Sequence, residues 1–436
     1  MQEKRTKTLN FVPNNTTMPH LRIFLILSFY AATLLLPSPV QSLHAQTLPS
    51  LAERLAALAA EANEQPYYTG ICVYDLTADQ TVFESGAHKA MRPASTQKIL
   101  TAVAALDRLG KDAVFTTQAL QQGYMEGTTL VGNVVVRGGF DPVFSYDDLR
   151  RMARAIHDAG IDSIAGQLVA DVSMTDGLPL GNGWCWDDVP SSLIPYLTPL
   201  LFNHEQDIDS RSKQCVEDPD QYFLRILQRE LRQLGVSCRD GIAQPLAVNL
   251  QPATAQRVLY VERHTVEQTL GPMMKKSDNL HAEALFYLLG SSAKFSQTGW
   301  KDCAAQVENL LRKVGADTDN VSVADGSGLS LYNYVTPRTL VQVLRYAYLQ
   351  PAIYTVLLPS LPVAGVDGTL ERRMLRSPAQ RNVRAKTGTC MGVITLAGYA
   401  TAADGHHLAF AILCNGPMKG DAARALQDKI CQELVR

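Results

Sequence analysis

Leu51, Leu55, Leu58 and Ala59 recur at helical spacing, so the pattern predicts an amphipathic helix over 48–62. Residues 67–76 then mix β-branched and aromatic side chains and read as a strand, with Thr81, Val82 and Phe83 as its hairpin partner. An apolar helix over 99–109 stops at Gly110. Ser95 falls just before that helix or in its first turn. From 115 to 215 the pattern changes. Gly, Asp and Pro become frequent and strands are short, as at 133–136, with a helix over 146–159 among them. Trp184 and Trp186 stand in a loop of Gly, Asp and Pro. Helical spacing returns at 222–234, ending before Gly235, and again at 280–289. Strands are expected at 392–400 and 407–413, with a closing amphipathic helix at 422–435. Strands at both ends with helices between predict one α/β (α+β) domain whose sequence is split by an insertion.

The extreme N-terminus has a different pattern. Lys4, Arg5, Lys7 and Arg22 precede an apolar run over 23–36, broken by Pro37 and Pro39. Small residues at Ser42 and Ala45 offer cleavage sites. Positive, apolar, then small is the order of a secretory signal peptide, assigned here to 1–45. The run is about 14 residues, short of the ~20 that a spanning helix needs; an uncleaved anchor is the alternative. No cysteine lies near the cleavage region to carry a lipid. Export is therefore expected, with the periplasm as the compartment.

Composition adds limits. The length suits two or three domains at about 150 residues each. The apolar fraction of 46% suits a packed core, and a formal charge of -2 gives no basic surface for nucleic acid. The eight cysteines form no CxxC pair and no zinc pattern. Cys72, Cys390 and Cys414 sit in strand-like segments as small hydrophobes, while Cys185 and Cys215 lie in polar sequence and are the better disulfide candidates.

Three short motifs carry chemistry. In Ser95-Thr96-Gln97-Lys98, residues three apart share a helix face, so Lys98 can set its amine beside the Ser95 hydroxyl. A serine hydroxyl needs an adjacent base, and a buried lysine with a lowered pKa can serve. In Ser277-Asp278-Asn279, Ser277 can relay a proton to a departing amine and Asn279 can bond a substrate amide. In Lys386-Thr387-Gly388-Thr389, Lys386 and Thr387 offer a cation and a hydroxyl to a carboxylate, and Gly388 admits close approach to the backbone. The N–H groups of Thr389 and Ser95 can form an oxyanion hole, worth roughly 3–4 kcal/mol per donor. Each motif alone is bland: a helix surface pair, a helix cap and a strand edge. Their order, together with an export signal, makes chance an improbable account.

On these motifs the chain resembles the low-molecular-mass class C penicillin-binding proteins, the D-alanyl-D-alanine carboxypeptidase/endopeptidases of peptidase family S13. The resemblance covers about Tyr68 to Leu413. It includes Gly138-Gly139-Phe140-Asp141-Pro142, the stretch 166–171, the SDNLHAEAL segment at 277–285, and Asp325-Gly326-Ser327-Gly328-Leu329-Ser330 with Asn333 and Val335-Thr336-Pro337. It implies a serine β-lactamase/penicillin-binding transpeptidase-like domain, an antiparallel sheet flanked by helices, with an inserted β-rich domain. The expected parts are 46–114 and 216–436 for that domain and 115–215 for the insert. The gap of about 180 residues between the first two motifs is large enough to hold a domain.

The resemblance also implies roles. Ser95 attacks the carbonyl between two D-alanines and Lys98 takes its proton. Ser277 and Lys386 serve the leaving group, Asn279 holds the acyl side, and Thr387 with Lys386 holds the terminal carboxylate. The implied partners are peptidoglycan peptides as substrate and β-lactams as covalent inhibitors. Asp141 could meet a cross-linking amine or be a turn residue before Pro142. His281 reads as a helix-surface histidine, and His204-Glu205 is not part of an HExxH motif, so neither a metal nor a cofactor is expected. Two other functions remain open: a β-lactamase, disfavoured by the long gap and the lack of a clear deacylating glutamate, and a catalytically silent β-lactam sensor or scaffold, disfavoured by three intact motifs.

Overall fold

The chain enters its folded part through a capping box: Ser50 accepts from the Glu53 N–H while Glu53 bonds back, starting α1 (Leu51–Asn63). In this computed structural model the described residues are 49–175, 177, 179–185, 194, 196–210, 215–242, 256–291 and 297–436. The expected signal peptide and Trp186 lie outside them. The hairpin β1 (Tyr68–Asp75) and β2 (Gln80–Ser85) follows, then a 3-10 turn at Ala94–Thr96 that runs into α2 (Gln97–Arg108). The chain next builds β3 (Val114–Glu126), β4 (Thr129–Arg137), α3 (Tyr146–Asp158), β5 (Ser163–Ile164), β6 (Leu168–Asp171), α4 (Pro219–Gln233), β7 (Ser237–Cys238) and β8 (Gln256–Thr265). It returns through α5 (Val266–Lys275), α6 (Asn279–Gly290), α7 (Trp300–Lys313), α8 (Pro337–Leu349) and α9 (Pro351–Ser360). It closes with β9 (Arg384–Cys390), β10 (Val393–Thr401), β11 (His407–Asn415) and α10 (Gly420–Leu434).

Among the described residues the first sheet has the order β2-β1-β11-β10-β9 and is antiparallel throughout. Its central strand β11 is apolar on both faces because both faces are covered. Phe410, Ile412 and Cys414 share one core with Leu55 and Ala59 of α1 and Leu426 and Ile430 of α10. Ala409, Ala411 and Leu413, one step out of phase, meet Ile99 and Val103 of α2 and Leu344 of α8. This layering sets α2 under the sheet, with its N-terminal turn against β9 and β10.

The second sheet runs β7-β5-β4-β3-β8, with β6 also pairing β4. β3 pairs antiparallel with β4 and β8, while β5 and β6 lie parallel to β4. Leu149, Met152 and Ile156 of α3 and Phe223, Leu227 and Leu231 of α4 pack on Val134, Val136 and Leu168. This runs past the boundary expected at 215. The second sheet and its helices extend to Thr265, and α4 belongs with them. β8 escapes a pattern reading because three of its ten residues, Arg257, Glu262 and Arg263, are charged, and Val258 on it is exposed. Val114 pairs directly with Thr265, so the segment between them leaves and returns at adjacent points.

Candidate active site

Ser95 sits in the tight turn that opens α2, directly after Ala94 with a φ of 45°. Two hydroxyls fix that turn: Thr96 and Thr395 each donate to the Pro93 carbonyl at 2.7 Å. Lys98 is fully buried. Its Nζ reaches Ser95 Oγ at 3.0 Å, Asn279 Oδ1 at 2.7 Å and the Ser327 carbonyl at 2.8 Å. Burial pulls the Lys98 pKa down to about 8, against the upward pull of Asp325 and Glu283. A neutral amine with a free lone pair is thereby accessible near neutral pH, and it lies within bonding reach of the Ser95 hydroxyl.

The second motif is a helix start. Asp278 caps α6 by accepting from the His281 N–H at 3.0 Å, which places Asn279 as the first helical residue. Ser277, just before the cap, adopts a left-handed φ of 61°. Its Oγ accepts from Lys386 Nζ at 2.8 Å. Lys386 is also fully buried, and burial, reinforced by the charge of Lys98, holds its pKa well below the ordinary lysine value. The charge of Lys98 thus favours the neutral form of Lys386.

The third motif lies on β9 at the edge of the first sheet. Thr387, Gly388 and Thr389 pair with Leu396, Thr395 and Ile394 of β10. A Cβ on Gly388 would stand 2.1 Å from Thr395 Oγ1, 2.7 Å from the Pro93 carbonyl and 3.0 Å from the Ser95 nitrogen. Glycine therefore lets the edge strand lie against the Ser95 turn. A pocket of about 290 Å³ opens there, lined by Ser95, Ser277, Thr387, Gly388 and Thr389 and walled by Thr369, Arg373 and Arg424. Thr387 Oγ1 donates to Thr369 Oγ1 at 2.7 Å. The structure thus gathers all eight residues singled out from the sequence: Ser95, Lys98, Ser277, Asn279, Lys386, Thr387, Gly388 and Thr389.

Behind them stands an acidic support that the sequence reading did not assign. Asp325 accepts from the N–H groups of Gly328 (2.7 Å) and Ser330 (2.6 Å), from Asn333 Nδ2 (2.7 Å) and from Trp184 Nε1 (2.9 Å). Glu283 accepts from the Gly326 and Ser327 N–H groups, the latter at 2.8 Å. Together they hold the Ser327 carbonyl where Lys98 bonds it. Burial, reinforced by the charge of Asp325, pushes the Glu283 carboxyl up to about 8. The available signal was an acid at position 283 inside an otherwise apolar helix. Ser327 itself is fully buried, with its Oγ 3.3 Å from Asp325, which suits a loop residue rather than a second nucleophile.

Asp141 takes the turn-residue reading of its two, and His281 departs from expectation. Asp141 has no exposed surface; it bonds His264 Nδ1 at 2.8 Å and the Val143 N–H at 3.1 Å, so it is a buried turn residue. His281 is not on a helix surface but buried, with Nδ1 3.0 Å from Asp278. His204 meets the same carboxylate at 2.5 Å. Burial pushes the Asp278 carboxyl upward, but the two imidazoles outweigh it and hold the group below the usual carboxylate range.

A Ser–Lys pair in a helix-opening turn beneath the edge strand of a five-stranded antiparallel sheet defines the class: the penicillin-binding, transpeptidase-like serine enzymes. Within that class the chain belongs to the D-Ala-D-Ala carboxypeptidase 3 (S13) family, whose family model matches residues 51–208 and 203–435. It is similar to D-alanyl-D-alanine carboxypeptidase DacB of Haemophilus influenzae, at 29% identity over 81% of this chain and 86% of that protein. It is also similar to the D-alanyl-D-alanine carboxypeptidase of Actinomadura sp., at 27% identity over 89% of this chain and 85% of that protein. The crystal structure of penicillin binding protein 4 from H. influenzae matches with a TM-score of 0.77 and 26% identity, covering 86% of this chain and 98% of that one. A second structure of that protein, complexed with a β-lactam, matches with a TM-score of 0.70 at 27% identity, over the same shares of the two chains.

Proposed function

We propose that this protein is a serine D-alanyl-D-alanine carboxypeptidase/endopeptidase that acts on peptidoglycan peptides through an acyl-enzyme on Ser95. The observation that carries this reading is the paired arrangement around one pocket: Lys98 on Ser95 from below, and Lys386 on Ser277 from the side.

In this mechanism neutral Lys98 accepts the Ser95 proton as Oγ attacks the carbonyl of the penultimate D-alanine. The carbonyl becomes a tetrahedral oxyanion, stabilised by the N–H groups of Ser95 and Thr389. The carbon–nitrogen bond then breaks. The proton that Lys98 took leaves through Ser277 to the departing amine, with Lys386 holding the Ser277 hydroxyl, so Lys98 is neutral again. Asn279 orients the acyl side, and Thr387 with Lys386 receives the carboxylate of the leaving residue. Water hydrolyses the ester, with Lys98 as its base. A β-lactam presents the same reacting carbonyl and acylates the same oxygen. A β-lactamase would need a further base for fast deacylation; the buried Glu283 is committed to the Gly326 and Ser327 N–H groups instead.

Secretion to the periplasm after removal of residues 1–45 fits this substrate and rests on the order of charges and apolar residues there. No described helix is long and apolar enough to cross a membrane. The segment from Val114 to Thr265 supplies none of the eight site residues, and we assign it to substrate choice. The test of the function is release of D-alanine from a pentapeptide ending in D-Ala-D-Ala. The enzyme should release it, and a Ser95→Ala variant should not. Turnover of a β-lactam without release of D-alanine would overturn the assignment.

A further inference from the structure

The middle residue of the second motif belongs to a cluster that the serine chemistry leaves unused. Asp278 lies between two imidazoles, with His204 Nε2 2.5 Å from Oδ2 and His281 Nδ1 3.0 Å from Oδ1. All three ligand atoms lie within 4.8 Å of one another. His281, three residues along α6 from Asp278, has a side chain only 8% exposed. Its Nδ1 faces the carboxylate yet makes no well-formed hydrogen bond among the described residues. His204 arrives from the inserted segment through three successive left-handed residues, Asn203, His204 and Glu205, with φ of 47°, 55° and 56°. That turn carries the His204 ring to Asp278.

We infer that His204, Asp278 and His281 form a binding site for a divalent transition metal, best suited to Zn²⁺. Two imidazole nitrogens and one carboxylate are zinc's preferred donors, and three protein ligands leave one position for water. The ring centroids stand 5.8 Å apart. Two imidazoles sharing one ion at Zn–N distances of about 2.0–2.1 Å require a similar spacing. His204 is 30% exposed, which gives the ion a way in. His204 Nε2 and Asp278 already meet directly, and the ion would take the place of that hydrogen bond. The ion would tie the 203–205 turn of the insert to the first turn of α6. The residues flanking Asp278, Ser277 and Asn279, bond Lys386 and Lys98, so the site would brace the catalytic motif without entering the reaction.

A second group, Asp148, Glu262 and His264, also brings three donors together. Its charges are already met, since Arg151 pairs with both acids and His264 bonds Asp141. It serves as the internal control.

The experiment uses the untagged full mature protein, stripped with a chelator and desalted, then titrated with zinc while bound metal and Tm are measured. We expect about one zinc per chain and a raised Tm. His204→Ala and His281→Ala should each weaken binding by on the order of tenfold or more, and His264→Ala should not. Penicillin labelling reports whether each variant is folded. If the two histidine variants fail to label, the wild-type stoichiometry and Tm shift decide. No binding by the wild type at about 100 μM zinc, or loss of binding in His264→Ala with retention in His204→Ala, would overturn the site.

Discussion

Lys98 has two requirements that oppose each other: burial deep enough to lose its proton, and hydrogen bonds that hold its amine on Ser95. Burial prevails, and the amine titrates near 8. The base form is the neutral one, so the acylation rate should rise with pH and level off above about pH 8. A profile flat between about pH 6 and 9 would contradict the assignment of Lys98 as base. Lys98→Ala should lower acylation by about 10²- to 10⁴-fold, measured as the rate of penicillin labelling. Glu283 is displaced in the other direction. A carboxyl whose pKa is raised on folding binds its proton more tightly in the native state. Its contribution to stability is therefore full below about 4.5 and is lost as pH climbs through about 8. Glu283→Gln removes that titration, so the urea midpoint should fall less steeply between these limits than in the parent. An equal slope in both proteins would refute the shift. The two lysines were legible in the sequence because each stands in a motif with fixed spacing. Glu283 and Asp325 were not, because their partners, backbone N–H groups and for Asp325 also Asn333 and Trp184, are brought together only by the fold.

At the scale of elements, the site depends on how closely β9 approaches the turn before α2. Gly388 sets that distance. Gly388→Ala should cost about 1–3 kcal/mol in overpacking and push the strand away from Ser95, so acylation should fall even where the protein remains folded. Undiminished labelling at unchanged Tm would show that the approach is looser than described. The strands and helices that carry the motifs were readable from periodicity: β1, β10 and β11 alternate or run apolar, and α2 ends at a glycine. β9 was less plain, because Arg384, Lys386 and five small or polar residues give it no apolar period. Its register against β10, rather than its composition, makes it a strand.

At the scale of the molecule, one fold is built from two sheets, and the chain passes from the first to the second and back at the Val114–Thr265 pair. The sequence marks the exit, where composition shifts near 115, but hides the return, because β8 is a half-exposed edge strand. Excising 114–265 with a short linker should leave a first domain that still acylates slowly with penicillin. It should be less stable than the parent, since Phe140 stacks on Tyr287 at 4.5 Å and Met174 and Leu201 belong to the first domain's core. Turnover of cross-linked muropeptides should fall much further than penicillin labelling; equal losses would remove the segment's role in substrate choice. The account as a whole rests on one covalent bond. Mass spectrometry of the intact protein after exposure to a penicillin, followed by peptide mapping, tests it directly. The account predicts a single adduct on Ser95; an adduct on Ser277, on Ser327 or on no serine would contradict it.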